Sequence, residues 1–299
     1  MRRFGDRLRY GCRPMLSLVF APRSLRSHGV APQLLGPWLR APWLRRLALA
    51  GGCWFFGAGC RLDPGMALEP TLQRPLLAAT TETTGFGSLQ LEAGVASDPG
   101  SQLAFPGAVR VGLSDATEGY LRGDLLRWDF DADVAGQGNL LVGVRHRLLE
   151  EQGALPALAI QMQTKLPTAQ ASDGFGSNAI DWDLALIADR EFGALETSWF
   201  AQAGYLGVDF GTGTDFESTL AASVRWPFAT RWSAYLQGAA VVCRSQDRRE
   251  RYLGGGLIYR VGAQGLLDVG VLQGYGDAPE DVLLMIGYTR NAGSFYRVR

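Results

Sequence analysis

Charged side chains recur at even spacings along short stretches of this 299-residue chain: Asp181 and Asp183; Arg145 and Arg147; Glu118, Arg122 and Asp124; Glu217 and Arg225. On a β-strand such spacings put side chains on one face. Two carboxylates that close resist ionising together unless paired. Asp181 and Asp183 therefore read either as a cation site or as part of a salt-bridge lattice with arginines on other strands. Arg110, Gln161, Lys165, Glu196 and Asp268 extend the same polar set. Covalent catalysis has little to work with. His28 and His146 are the only histidines, and His146 has the opposite, apolar parity in R-H-R. A lipid-hydrolysing barrel would need histidine beside a serine, and a two-histidine metal site would need a second partner. The loops D-G-F-G-S-N (173–178) and G-T-G-T-D (211–215) match no EF-hand and read as turns. L-G-G-G-L (253–257) lacks the strand-to-helix setting of a phosphate loop and reads as tight strand curvature or a widened lumen. No catalytic residue, metal or cofactor is expected.

The elements that would hold these side chains are strands. In A-L-A-I-Q-M-Q-T-K-L (157–166), Leu158, Ile160, Met162, Thr164 and Leu166 share one face, and Gln161, Gln163 and Lys165 the other. Similar segments predict twelve strands, near 88–97, 108–113, 117–128, 139–149, 156–166, 179–189, 194–206, 216–226, 232–243, 251–261, 265–274 and 281–290. Each is about the length of a tilted membrane-crossing strand. Connections alternate between short turns (114–116, 150–155, 190–193, 227–231, 262–264) and mostly longer loops (97–107, 129–138, 167–178, 207–215, 244–250, 275–280). That asymmetry marks outer-membrane barrels.

Alternation alone does not say which face is outside, because a soluble barrel or sandwich would turn the apolar face inward. Aromatic residues of apolar parity fall at strand ends: Trp226, Trp232, Tyr259 and Tyr288 near the short turns, Trp182, Tyr205 and Phe216 near the other edge. Two such rings around an aliphatic band match interfacial girdles. The expected fold is thus all-β, a closed antiparallel up-and-down transmembrane β-barrel of about twelve strands, with the charged residues facing the lumen. Their mixed signs predict weak ion selectivity or a partly closed, salt-bridged interior.

The first 67 residues are arginine-rich, then apolar over L-A-L-A-G-G-C-W-F-F-G-A-G (47–59). They are expected to be a signal peptide or N-terminal extension, cleaved after Gly65-Met66-Ala67. A disordered basic tail and a lipoprotein at Cys60 are the alternatives. Residues 68–87 are expected to hang in the periplasm or enter the lumen as a plug, and residues 88–299 to form the barrel. A twelve-strand barrel is narrow, between side-chain-filled eight-strand barrels and open sixteen-strand porins. Equal numbers of basic and acidic residues, 29 each, leave no field for nucleic acid.

Three stretches carry a family resemblance: F-P-G-A-V-R-V-G-L-S-D-A-T-E (105–118), G-N-L-L-V-G-V-R-H-R-L-L-E-E (138–151) and L-P-A-L-A-I-Q-M-Q-T-K-L-P-T (155–168). They resemble the outer-membrane transporter-like family named for the MetA pathway of phenol degradation, over about residues 84–290. The resemblance implies a barrel in the outer membrane of a Gram-negative bacterium that passes small molecules, aromatic or apolar ones among them. It brings no catalytic set. Outer-membrane lipids and the barrel-insertion machinery are the expected partners. One departure is the C-terminus, where Phe295 is followed by Tyr-Arg-Val-Arg rather than ending the chain. The alternatives are a non-conducting structural barrel, a soluble secreted β protein and a barrel lipid enzyme.

Overall fold

The computed structural model describes residues 69–295 apart from Pro75, Asn178, 208–213, 245–246 and Glu280. The expected leader (1–67) and the Tyr-Arg-Val-Arg tail lie outside the described residues. The strands are β1 (Ser88–Asp98), β2 (Gln102–Ser114), β3 (Thr117–Asp129), β4 (Val134–Gly136), β5 (Leu140–Leu149), β6 (Ala157–Leu166), β7 (Asp181–Phe192), β8 (Leu195–Gly207), β9 (Thr214–Ala229), β10 (Trp232–Cys243), β11 (Arg248–Val261), β12 (Gly265–Gly276) and β13 (Val282–Ser294). The short β4 pairs only with the end of β3. The other twelve pair antiparallel around a closed ring, which β1 and β13 seal in the register Leu91↔Arg290 and Ala93↔Tyr288. Closure leaves no unpaired edge in the ring of twelve, as a strand structure in hydrocarbon requires.

Burial alternates along the strands with a period of two, and its sense is inverted relative to a soluble protein. Leu121, Val142, Met162, Leu184, Leu220, Leu236, Leu253, Val269 and Leu284 are exposed on the outer wall. Glu118, Arg145, Asp183, Glu217, Glu250 and Asp268 are buried on the inner one. An apolar exterior on a closed antiparallel barrel is stable only against lipid.

Several expected boundaries need correction, two of them at proline; β11, for one, starts at Arg248 rather than 251, which shortens the expected 244–250 loop to 244–247. β2 starts at Gln102 rather than 108, so the supposed long loop 97–107 is a three-residue connection, Pro99–Ser101. Pro106 lies inside β2. It has no N–H for the ladder, and the pairing with β3 slips there, between Phe105 and Pro106. β9 likewise runs through Pro227 to Ala229, with a slip opposite at Trp232/Ser233. The 150–155 connection is also longer than a tight turn, since β5 ends at Leu149 and β6 begins at Ala157. The β7–β8 turn is tight, and Gly193 takes φ 63° as primed hairpin turns require.

Residues 69–87 run inside the barrel. Near the short-turn end, Glu69 pairs with Arg260, and the Thr71 backbone N–H donates to Gln90 Oε1 on β1 (2.7 Å). Further along, the Leu77 N–H donates to Gln237 Oε1 on β10 (2.6 Å). The segment then turns back. The Thr81 N–H and hydroxyl donate to Asp189 Oδ2 on β7 (2.6 and 2.8 Å), and those of Thr84 to Glu118 Oε2 on β3 (2.8 and 2.9 Å). It rejoins the wall beside Gly112, where a Cβ would stand 1.9 Å from the Gly85 carbonyl oxygen, so only glycine admits the crossing.

Candidate functional site: the barrel lumen

The lumen has a charged side, an apolar waist and a second charged group near the long-loop rim. On the β1–β3–β5 side, Arg110 Nε donates to Glu92 Oε1 (2.5 Å) and Nη1 to Glu118 Oε1 (2.9 Å). Arg145 Nη1 lies 3.6 Å from the same Glu118 oxygen, and Arg145 also donates to Gln161 Oε1 (2.7 Å) and the Glu82 carbonyl (3.2 Å). All four charged groups are almost fully buried. Each is matched, as a buried charge must be. Tyr120 and Arg122 both donate to Gln163 Oε1 (3.0 and 2.8 Å).

Toward the long-loop rim, Lys165 pairs with Asp181, which also accepts the Gly207 N–H (2.8 Å). Asp183 is fully buried, faces its register partner Gln163, and has no ion pair among the described residues. Arg248 reaches Glu250 (3.0 Å) and Glu217 (3.7 Å), and the Cys243 thiol donates to Asp215 Oδ2 (2.9 Å). The β6–β7 loop turns Phe175 into this mouth, under the Arg127 guanidinium at 5.3 Å from the ring centre. Asp124 is buried 3.7 Å from Arg127. At the short-turn end Arg225 pairs with Glu196, Arg147 approaches Glu150 at 3.2 Å, and Asp268 lies 3.8 Å from Arg74.

Parity alone had not revealed the waist. Ile187, Phe200, Val241, Tyr252, Leu272, Leu283 and Met285 are buried on the inner face, with Ala96, Ala104, Ala159, Ala185 and Ala221 beside them; β3 and β5 add none. Leu77 and Ala78, at the turn of the inner segment, pack against it. The wall is cut to receive that segment. A Cβ on Gly94 would stand 2.4 Å from Arg74 Nη2, and one on Gly287 2.7 Å from Arg74 Nε. The glycines of 253–257 serve a related end, because the Tyr235 hydroxyl lies where a Cβ of Gly256 or Gly270 would be, at 2.6 and 2.0 Å. Between segment and wall a cavity of about 120 Å³ remains.

Outside, Trp182 stacks by Tyr205 (5.0 Å between centres), Tyr205 by Phe216 (5.5 Å), and Trp232 by Tyr259 (4.7 Å). Trp226 and Tyr288 are exposed at the level of the second group. His146 points outward and meets the Thr117 hydroxyl at Nδ1 (2.9 Å). Among the described residues no three His, Cys, Asp or Glu side chains gather as metal ligands.

A closed barrel with an apolar outer belt and a polar, partly filled interior defines the chain as an outer-membrane β-barrel. The family described as "Putative MetA-pathway of phenol degradation" matches residues 66–289, and the chain belongs to it. Among solved structures it is similar to an outer membrane channel from Pseudomonas putida F1, with 13% identity and a TM-score of 0.57 over 71% of this chain and 97% of that one. It is also similar to the NanC porin, with 10% identity and a TM-score of 0.50 over 68% and 98%. At these identities the likeness is one of fold. No curated protein matches the chain.

Proposed function

We propose that this protein is a narrow passive channel for small molecules with apolar or aromatic bodies. The observation that carries the reading is the apolar waist. A lumen built only for ions has no use for an inner face carrying Phe200, Ile187, Leu272, Leu283 and Met285. A small apolar solute crossing there exchanges water for side chains instead of remaining hydrated. Residues 69–87 act in this reading as a built-in constriction. Similarity to channel structures supports the fold on which the reading rests. The reading as a channel and not an enzyme rests on His146, which faces outward beside a threonine. Planar-bilayer recordings of residues 68–299 test it: discrete conductance steps are expected. A barrel that inserts and stays silent refutes it. That outcome favours the second reading, a non-conducting structural barrel, for which the filled lumen and buried ion pairs already speak.

A further inference from the structure

The outer wall turns three arginines outward at the long-loop rim of β10 and β11. Arg249 and Arg251 flank the inward, buried Glu250 and share the outer face of β11 with the exposed Leu253 and Leu257 and with Tyr259. Arg244, exposed just past the end of β10, donates its backbone N–H to the carbonyl of the girdle residue Phe216 (3.2 Å). Arg249 stands opposite Val242, two residues from Arg244 on the same face. Tyr259 marks the short-turn girdle; Arg249 lies ten residues from it and Arg251 eight. At ~3.3 Å per residue and a tilt of about 40°, those are rises of about 25 and 20 Å, which put both at the opposite edge of the apolar belt. The 167–180 connection belongs to that end, and longer loops lie on the extracellular side.

Among the described residues Arg244 and Arg251 meet no carboxylate, and Arg249 meets Asp247 in an exposed pair at 3.5 Å. Like charges on one strand face repel. The Cα atoms of Arg249 and Arg251 are about 7 Å apart, and a diagonal neighbour such as Arg244 is about 7–8 Å from Arg249. Flexible arginines at that spacing can converge on one headgroup. Their long stems suit a membrane boundary, and guanidinium makes paired, charge-assisted hydrogen bonds to phosphate. The wall beside them is hollowed. An apolar groove of about 720 Å³, lined in part by Leu186, Trp199, Ala201, Leu220, Ala222 and Gly238, crosses the outer face of β7 to β10. Gly238 pairs with Leu253, which follows Arg251 along the outer face of β11. We propose that Arg244, Arg249 and Arg251 form a docking site for a phosphorylated lipid of the outer leaflet, with its phosphate on the guanidinium groups and an acyl chain along the groove.

The barrel purified in detergent is mixed with dioleoylphosphatidate or dioleoylglycerol, the same chains with and without the phosphate, and retained lipid is counted by native mass spectrometry. Each arginine beside an anionic lipid adds roughly fivefold to binding. Phosphatidate should therefore bind on the order of a hundredfold more tightly, and Arg244→Gln or Arg251→Gln should each cost about fivefold. Arg290→Gln, exposed at the short-turn end, should cost nothing. Equal retention of the two lipids overturns the proposal. So does a full preference kept by the triple variant Arg244→Gln, Arg249→Gln, Arg251→Gln, once heat-shifted gel mobility shows it folded. An equal loss with Arg290→Gln also overturns it, since that marks unspecific charge attraction. Displacement of phosphatidate by equimolar inorganic phosphate makes the site one for free anions and refutes the lipid assignment. Paired chains that separate on substitution make the occupant a second copy and refute it too. If the variants fail to fold, the two lipids and inorganic phosphate on the unaltered protein decide.

Discussion

Leu220→Arg gives the most direct test of which wall faces lipid. On β9 the outer band runs from Phe216 to Trp226, ten residues apart. At ~3.3 Å per residue and a tilt of about 40°, the rise is about 25 Å, the height of the apolar belt of such barrels. Leu220, 64% exposed, stands four residues from Phe216, about 10 Å inside the upper girdle and close to mid-bilayer. Arginine there costs about 2–4 kcal/mol, against about 0–1 near an interface. That lowers the folding constant by roughly 30- to 700-fold. Val261→Arg is the control: it also points outward but lies two residues beyond the girdle Tyr259, at the short turn. Equilibrium refolding into lipid vesicles in urea, followed by tryptophan fluorescence, measures both. Equal costs at the two positions, or no cost at Leu220, would refute the face assignment.

Other outcomes follow from the interior. Glu118→Gln strips Arg145 of its only carboxylate among the described residues and Arg110 of one of two, so unfolding in urea should show a loss of about 3–5 kcal/mol. Gly94→Leu should displace Arg74, destabilise by about 1–3 kcal/mol, and open residues 69–84 to protease in the folded barrel. Deleting residues 69–84 should raise single-channel conductance; unchanged conductance would mean that the segment does not limit flow. Pro106→Val should restore an N–H to β2 and, if proline causes the bulge, remove the register slip against β3, visible as altered amide exchange near Leu125 and Leu126.

Much of the wall was legible because burial in a barrel obeys a period of two, and a run such as 157–166 shows that period in a single segment. The charged lumen residues were legible for the same reason: Arg110, Glu118, Arg145 and Asp268 share inner-face parity with their neighbours. The waist was not, since most strands add only one or two residues to it. Phe200 or Met285 among small and polar residues of equal parity resembles noise until the strands are set side by side. Pro106 misled because proline reads as a strand breaker, while a bulge absorbs it. The seat of the inner segment was hidden more deeply. Gly94 and Gly287 lie far apart in the chain and become one notch only through the pairing that closes the barrel.

That seat also depends on the wall as a whole. Residues 69–84 precede every strand, yet their partners Gln90, Glu118, Asp189, Gln237 and Asp268 are distributed from β1 to β12. The amide of Leu77 meets its acceptor across 160 residues of chain. The segment's complete set of contacts therefore exists only once strands from β1 to β12 stand together, so its seat is a property of the closed wall and of no single hairpin.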